Sequence, residues 1–274
     1  MNSTILNENH INALLEISIE AGNSILDIYS TNFQINSKED SSPVTTADIA
    51  SNKIITRGLN KITPHIPILS EESSLISYAE RSKWNQYWLV DPLDGTKEFI
   101  KKNGEFTVNI ALISNNKPIF GIVHAPVFSD IYWGHNSLGS YVKHKNQSHQ
   151  KIMVQDRVKS PIRIATSRSH KSSNEINFLD NIKDSIEIPI GSSLKFCYLA
   201  SGKADIYPRF GPTSEWDIAA GDAILRAAGG EVLDSNRNIF CYNVKKSIIN
   251  GSFFAYGNKD LGKKFSALFY DSIT

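Results

Sequence analysis

The sequence predicts an α/β protein, α+β in its first half and more evenly layered in its second. Two observations carry that prediction. Residues 1–157 open with helical periodicity and continue into apolar, alternating runs joined by turn formers, the pattern of antiparallel neighbours in one sheet. Residues 158–274 alternate strand-like and helix-like segments. There is no internal repeat, low-complexity tract or long linker between the two parts. They are expected to pack closely, with a cleft between them as the site.

Ile11, Leu14, Leu15, Ala21, Ile25, Leu26 and Tyr29 recur at near-helical spacing and predict a long amphipathic first helix. The polar stretch "NSKEDSSPVTTAD" predicts a loop. Thr45, Thr46 and Asp48 then offer an N-cap and a first-turn acid for a second helix running through Ile55, Leu59 and Ile62. "IPILSEES" and "YWLVDPLDGT" predict two strands that each leave the core into an acidic loop. "FTVNIALI", "PIFGIVHAP" and "IYWGH" supply further strands. In the second half "PIRIATS", "IEIPI", "DIYPRF", "EVLD" and "SFFAYGN" read as strands. Helices are expected around 174–182, in "SEWDIAAGDAILRAAGG" and at Leu261, Phe265 and Leu268.

The 274 residues, 41% hydrophobic and 21% charged, suit a globular chain with a substantial core and exclude a disordered or collagen-like one. A net charge of +1 gives no whole-molecule attraction to nucleic acid or membrane, so an anionic ligand needs a local arrangement of cations, amides or metal. Cys197 and Cys241 are too few for a disulfide framework or a thiolate metal cage and suit a reducing compartment. The N-terminal stretch carries Glu8, Glu16 and Glu20 and does not predict a secretory signal. No apolar run approaches the roughly 20 residues that span a bilayer. The expected location is the cytoplasm; peripheral contact with the cytoplasmic face of the inner membrane stays open, as do monomer and homodimer.

Asp91 and Asp94 follow an apolar strand, separated by Pro92 and followed by Gly95 and Thr96. Pro92 interrupts strand pairing, and Gly95 permits a tight path. The turn can bring both carboxylates and the Leu93 carbonyl toward one point, the oxygen set that Mg²⁺ takes. Alone, Asp-Pro and Asp-Gly are ordinary turn dipeptides. Glu71 and Glu72 also follow a strand-like run, and successive side chains on extended backbone point oppositely, so only one is expected to face inward. Asp217 opens an amphipathic helix, where an acid is also a simple dipole partner. Taken together, Glu71, Asp91, Asp94 and Asp217, with Asp48 similarly placed, make a candidate polynuclear magnesium site for phosphoryl transfer to water.

"ILSEES", "WLVDPLDGTKEF" and "EWDIAAGDAILRAAGG", in this order and spacing, resemble the three motifs of the inositol monophosphatase superfamily of magnesium-dependent, lithium-sensitive phosphatases. "DPLDGTKEFIKKNGEFTVNIALI", "SRSH" and "GSSLKFCYLASGKADIYPRFGPTSEWDIAAGDA" resemble its CysQ-type 3′(2′),5′-bisphosphate nucleotidase branch. The resemblance implies a layered αβαβα sandwich with two or three Mg²⁺ per site. Glu71, Asp91 and the Leu93 carbonyl would hold one ion, and Asp91, Asp94 and Asp217 a second. Thr96 and Asp48 match the pair that orients and deprotonates the attacking water. Substrate contact is implied for Glu71, Leu93, Asp94, Gly95, Thr96 and Asp217, and nucleotide contact for His170, Ser192, Lys195 and Arg209. The implied reaction removes the 3′-phosphate of 3′-phosphoadenosine 5′-phosphate (PAP), giving AMP and draining a by-product of sulfate activation. The partner is then a small bisphosphate nucleotide, not nucleic acid. Hydrolysis of inositol monophosphate or a sugar bisphosphate on the same fold is the alternative, with a non-catalytic nucleotide sensor as a third reading.

Overall fold

The computed structural model describes residues 6–31, 35–37, 43–72, 76–157, 160–168 and 171–273. Helices α1 (Glu8–Tyr29) and α2 (Thr46–Ile62) flank the short strands β1 (Ile35–Ser37) and β2 (Pro43–Thr45). Next come β3 (Ile68–Ser70), α3 (Tyr78–Arg81), β4 (Gln86–Asp94) and α4 (Thr96–Ile100). A run of strands follows: β5 (Thr107–Ser114), β6 (Lys117–Ala125), β7 (Asp130–His135), β8 (Gly139–Lys143) and β9 (Gln150–Ile152). The second half holds β10 (Ile162–Ser167), α5 (Ser173–Asp180), β11 (Ser185–Ile190), α6 (Leu194–Ala200), β12 (Ile206–Arg209) and β13 (Thr213–Ser214). It ends with α7 (Glu215–Ala227), β14 (Glu231–Asp234), β15 (Ile249–Asn250), β16 (Phe253–Tyr256) and α8 (Lys259–Asp271).

Strands β3 to β9 form one sheet in sequence order; β3 runs parallel to β4 and every later pair is antiparallel. Asn115 and Asn116 both take positive φ at the β5–β6 hairpin, the conformation that matches the twist of the flanking strands. The second sheet has the order β11-β10-β12-β16-β14, parallel on the β11 side and antiparallel beyond β12. Alternation along the strands sorts their side chains into three cores. Trp88, Val90, Ile110 and Leu112 face α1 and α2. Leu89, Ala111 and Val123 face α6 and α7, which also cover Tyr207, Val232 and Phe253 of the second sheet. Ile206, Phe254 and Tyr256 point the other way, onto α5 and α8. The layers are therefore helix, sheet, helix, sheet, helix, as expected.

Helix α7 lies so close to β6 that a Cβ on Gly121 would sit 2.4 Å from the Ala220 carbonyl oxygen. Its N-terminus is thereby fixed relative to the end of β4, the point that matters for the site. Helix α2 starts at the predicted place, on a Thr45 cap, and α1, predicted from its periodicity, is capped by Asn7. The stretch expected as a loop before α2 instead pairs, Ile35 with Thr45 through Ser37 with Pro43. Sequence reading also missed β8 and β9, which are short, and α4, whose one turn follows directly on Gly95. No helix among the described residues is long and apolar enough to cross a membrane.

Candidate active site

Strand β4 carries the site because it does not finish regularly. Asp91 pairs with Asn109 and Asp94 with Thr107, so one extra residue is accommodated between them. Pro92 lies in that irregularity, and its carbonyl accepts the buried Ser51 hydroxyl of α2 at 2.7 Å. The Leu93 side chain enters the core, while its amide donates to Asp91 Oδ1 at 3.0 Å. Gly95 then takes φ +90, where an added Cβ would also stand 3.2 Å from the Glu105 carbonyl oxygen. The chain turns sharply into α4, and Thr96 returns its hydroxyl toward the Leu93 carbonyl at 3.4 Å.

One carboxylate oxygen from each of Asp91, Asp94 and Asp217 lies within 4.8 Å of the others. Glu71, Leu93, Gly95 and Thr96 share the cleft they line. Glu71 belongs to this wall and Glu72 does not; the two stand in a turn after β3 rather than on the extended backbone expected from sequence. Asp217 is placed by the start of α7, where Ser214 N donates to its Oδ2 at 2.8 Å. Burial pushes the Asp91 carboxyl well above the usual range, helped by the charges of Glu71, Asp94 and Asp217. Asp217 is raised for the same first reason, then by Asp94, against the opposing Ser214 amide. Among the described residues no lysine or arginine forms an ion pair with these three aspartates. A mutually repelling set of hard oxygen donors, Asp91 buried and Asp94 and Asp217 half-buried, without a protein cation fits a divalent metal.

This arrangement sets a stability test. With folded pKa values raised above the unfolded value, the native state holds protons that the unfolded chain releases, so metal-free stability falls as pH rises above the ordinary carboxylate range. A bound cation offsets that loss. Added Mg²⁺ should therefore raise the melting temperature more at about pH 8 than at about pH 5. An equal rise at both, by scanning calorimetry against a chelator control, contradicts the reading.

Asp48 stands at the third position of α2, buried, with Oδ2 accepting the Thr45 amide at 2.8 Å and the Thr45 hydroxyl at 2.7 Å. Its Oδ1 accepts the Thr96 hydroxyl at 3.3 Å. The two residues assigned to water activation by resemblance, 48 positions apart, are thus within hydrogen-bond reach.

A second pocket shares Asp94, Gly95 and Asp217 with the metal cleft and extends along Ser192, Lys195, Tyr207 and Arg209. Lys195 is buried, with its ammonium donating to the Ser192 carbonyl at 2.7 Å and lying 5.4 Å from the Tyr207 ring centroid. Burial lowers its pKa to about 8, although Asp94 pulls the other way. Arg209 donates to Ser167 Oγ at 2.9 Å and to the Pro212 carbonyl at 3.1 Å. His170 lies outside the described residues. Apart from Glu72, every other acid and substrate-contact residue proposed from sequence borders one of these two connected spaces or, as Asp48, touches a residue that does.

Sequence reading missed the supports. Glu105 accepts Arg168 Nε at 2.6 Å and the Gly191 amide at 2.8 Å, tying the loop after α4 to the turn before α6. Thr107, Asn109 and Ser193 surround Asp94. The available signal was Thr107 and Asn109, two polar residues on one face of the otherwise apolar "FTVNIALI".

Residues 6–271 match the Inositol monophosphatase family. A 3′(2′),5′-bisphosphate nucleotidase CysQ from Salmonella typhimurium is 45% identical over 240 residues, 87% of this chain and 96% of that protein. The Escherichia coli K12 protein of the same name is 43% identical over 245 residues, covering 89% and 98%. The crystal structure of CysQ from Bacteroides thetaiotaomicron, a bacterial member of the inositol monophosphatase family, superposes with TM-score 0.81 at 36% identity, over 93% of this chain and 99% of that one. A Thermotoga maritima inositol monophosphatase shares the fold with TM-score 0.79 at 20% identity, covering 97% and 98%. With its layered fold, its acidic cleft and a match across nearly its whole length, this chain belongs to the inositol monophosphatase family.

Proposed function

We propose that the protein is a Mg²⁺-dependent 3′(2′),5′-bisphosphate nucleotidase that hydrolyses PAP to AMP and phosphate, serving sulfate assimilation by removing a product of sulfonate transfer. The observation that carries this reading is the continuity of the acidic cleft with a pocket holding a buried lysine and an arginine. That pairing suits a substrate with two phosphates, one reacting and one held at a distance. Nucleotidases of this name at 43–45% identity support it.

Glu71, Asp91, the Leu93 carbonyl, Asp94 and Asp217 would hold two or three Mg²⁺. When bound, the ions supply Lewis-acid charge at the phosphoryl oxygens and make hydroxide accessible near neutral pH. Thr96 and Asp48 orient the attacking water. Thr45 donates to Asp48 Oδ2 while the Thr96 hydroxyl donates to Oδ1, and this contact is the route by which the water's proton leaves through Thr96 to Asp48. Ser192, Lys195 and Arg209, with His170, hold the nucleotide and its second phosphate, binding energy from a group remote from the reacting bond.

A phosphate-release panel tests this assignment. PAP should be hydrolysed with a higher kcat/KM than inositol monophosphate or fructose bisphosphate, and a chelator should abolish the activity. Preference for inositol monophosphate would instead favour the simpler phosphatase. Tight PAP binding without phosphate release would favour a nucleotide sensor.

A further inference from the structure

The carboxylate of Asp94 is held on one side only. Its Oδ2 accepts the Ser192 hydroxyl at 2.5 Å, the Ser193 amide at 2.7 Å, the Ser193 hydroxyl at 2.8 Å and the Asn109 amide at 3.3 Å. No hydrogen bond to Oδ1 is found among the described residues. Ser193 does more than donate to Asp94, since its Oγ also lies 2.5 Å from the main-chain carbonyl of Asp217. Ser193 Oγ in turn accepts Asn109 Nδ2 at 2.9 Å. With one lone pair occupied by Asn109, the single hydroxyl proton of Ser193 is directed toward the Asp94 carboxylate and the Asp217 backbone. Asn109 is itself oriented, because Thr107 Oγ1 donates to its Oδ1 at 2.9 Å and lies 2.6 Å from Ser192 Oγ. Ser193, Asn109 and Thr107 are all buried, so these bonds form away from competing water.

The geometry points to Ser193 and Asn109 as positioning residues for the cation site: together they fix Asp94 as a ligand through one oxygen and set its distance from Asp217. Neither residue need touch a cation. Asp94 ends β4 of the first sheet and Asp217 stands in the first turn of α7, and the hydroxyl of Ser193, at the start of α6, reaches the Asp94 carboxylate and the Asp217 carbonyl together. Asn109, on the neighbouring strand β5, pins that hydroxyl. Ordering of a ligating carboxylate by such partners is generally worth about 10- to 100-fold in metal affinity. The bond network also joins the Ser192–Lys195 turn to the metal cleft, so the groups proposed to hold the second phosphate rest on the same residues that hold Asp94.

The inference rests on the acidic cluster being a divalent-cation site, and one calorimetric experiment separates the two claims. Mg²⁺ is titrated into the metal-free wild type, Ser193→Ala, Asn109→Ala and the double variant, each checked by circular dichroism and by melting in chelator. The wild type should bind. Each single variant should bind Mg²⁺ about tenfold or more weakly while staying folded. The double variant should lose less than the product of the single losses, because the two residues act through one bond. Wild-type binding with unchanged affinity in both folded single variants overturns the positioning role and leaves the cation site standing. Absence of Mg²⁺ binding by the wild type overturns both. A lowered melting temperature with unaltered Mg²⁺ affinity shows a structural role only, which also overturns the inference.

Discussion

Asp91→Asn should reduce PAP turnover at saturating Mg²⁺ at least about a thousandfold and, without metal, make the protein more resistant to heat. The two effects have one cause. Asp91 is buried at the end of β4, and burial together with three nearby acids disfavours its charge in the metal-free fold. Asparagine has nearly the same shape and keeps an oxygen to accept the Leu93 amide, so the turn survives. It removes the charge, relieving the metal-free protein above the ordinary carboxylate range and depriving a cation of its most buried acidic ligand. Activity and melting in chelator at about pH 8 should therefore move in opposite directions. Near-normal turnover by this variant in magnesium would remove the metal assignment. A large drop in stability would show that Asp91 serves the fold rather than the chemistry.

Lys195→Ala should lower kcat/KM for PAP about 10- to 150-fold, the equivalent of losing a charge-assisted hydrogen bond of about 1.5–3 kcal/mol. The loss should appear chiefly in KM. Adenosine 3′-phosphate, which lacks the second phosphate, should be affected within about twofold. An equal loss with both substrates would show that Lys195 does not read the second phosphate. The pH profile supplies an independent check. Burial lowers Lys195 to about 8, so the ammonium is charged below that pH and lost above it. The kcat/KM for PAP should fall as pH rises through this value. Lys195→Arg should flatten that fall, since a guanidinium stays charged throughout.

Much of the fold was legible because the largest signals in the sequence are periodic. The spacing from Ile11 to Tyr29 gave α1, the Thr45 cap gave the start of α2, and the apolar run before Asp91 gave β4. What stayed hidden was local pairing with weak periodicity. β1 and β2 have three residues each in a polar stretch, and α4 is one turn whose start depends on the positive φ of Gly95. The acids were legible for a different reason: carboxylates at strand ends and helix starts invite the question of what cation they meet. The supports were not. Ser193 and Asn109 are ordinary polar residues in sequence, and only the pairing of β5 with β4 and the approach of the α6 N-terminus place both on Asp94. The Glu105–Arg168 pair spans 63 positions and likewise has no local signature.

The most direct test of the account is to identify the product of PAP hydrolysis by the purified protein, with Mg²⁺ and after its removal. The account predicts AMP and one phosphate, formed only when the cation is present. Adenosine 3′-phosphate as the product, or turnover undiminished in chelator, would contradict it.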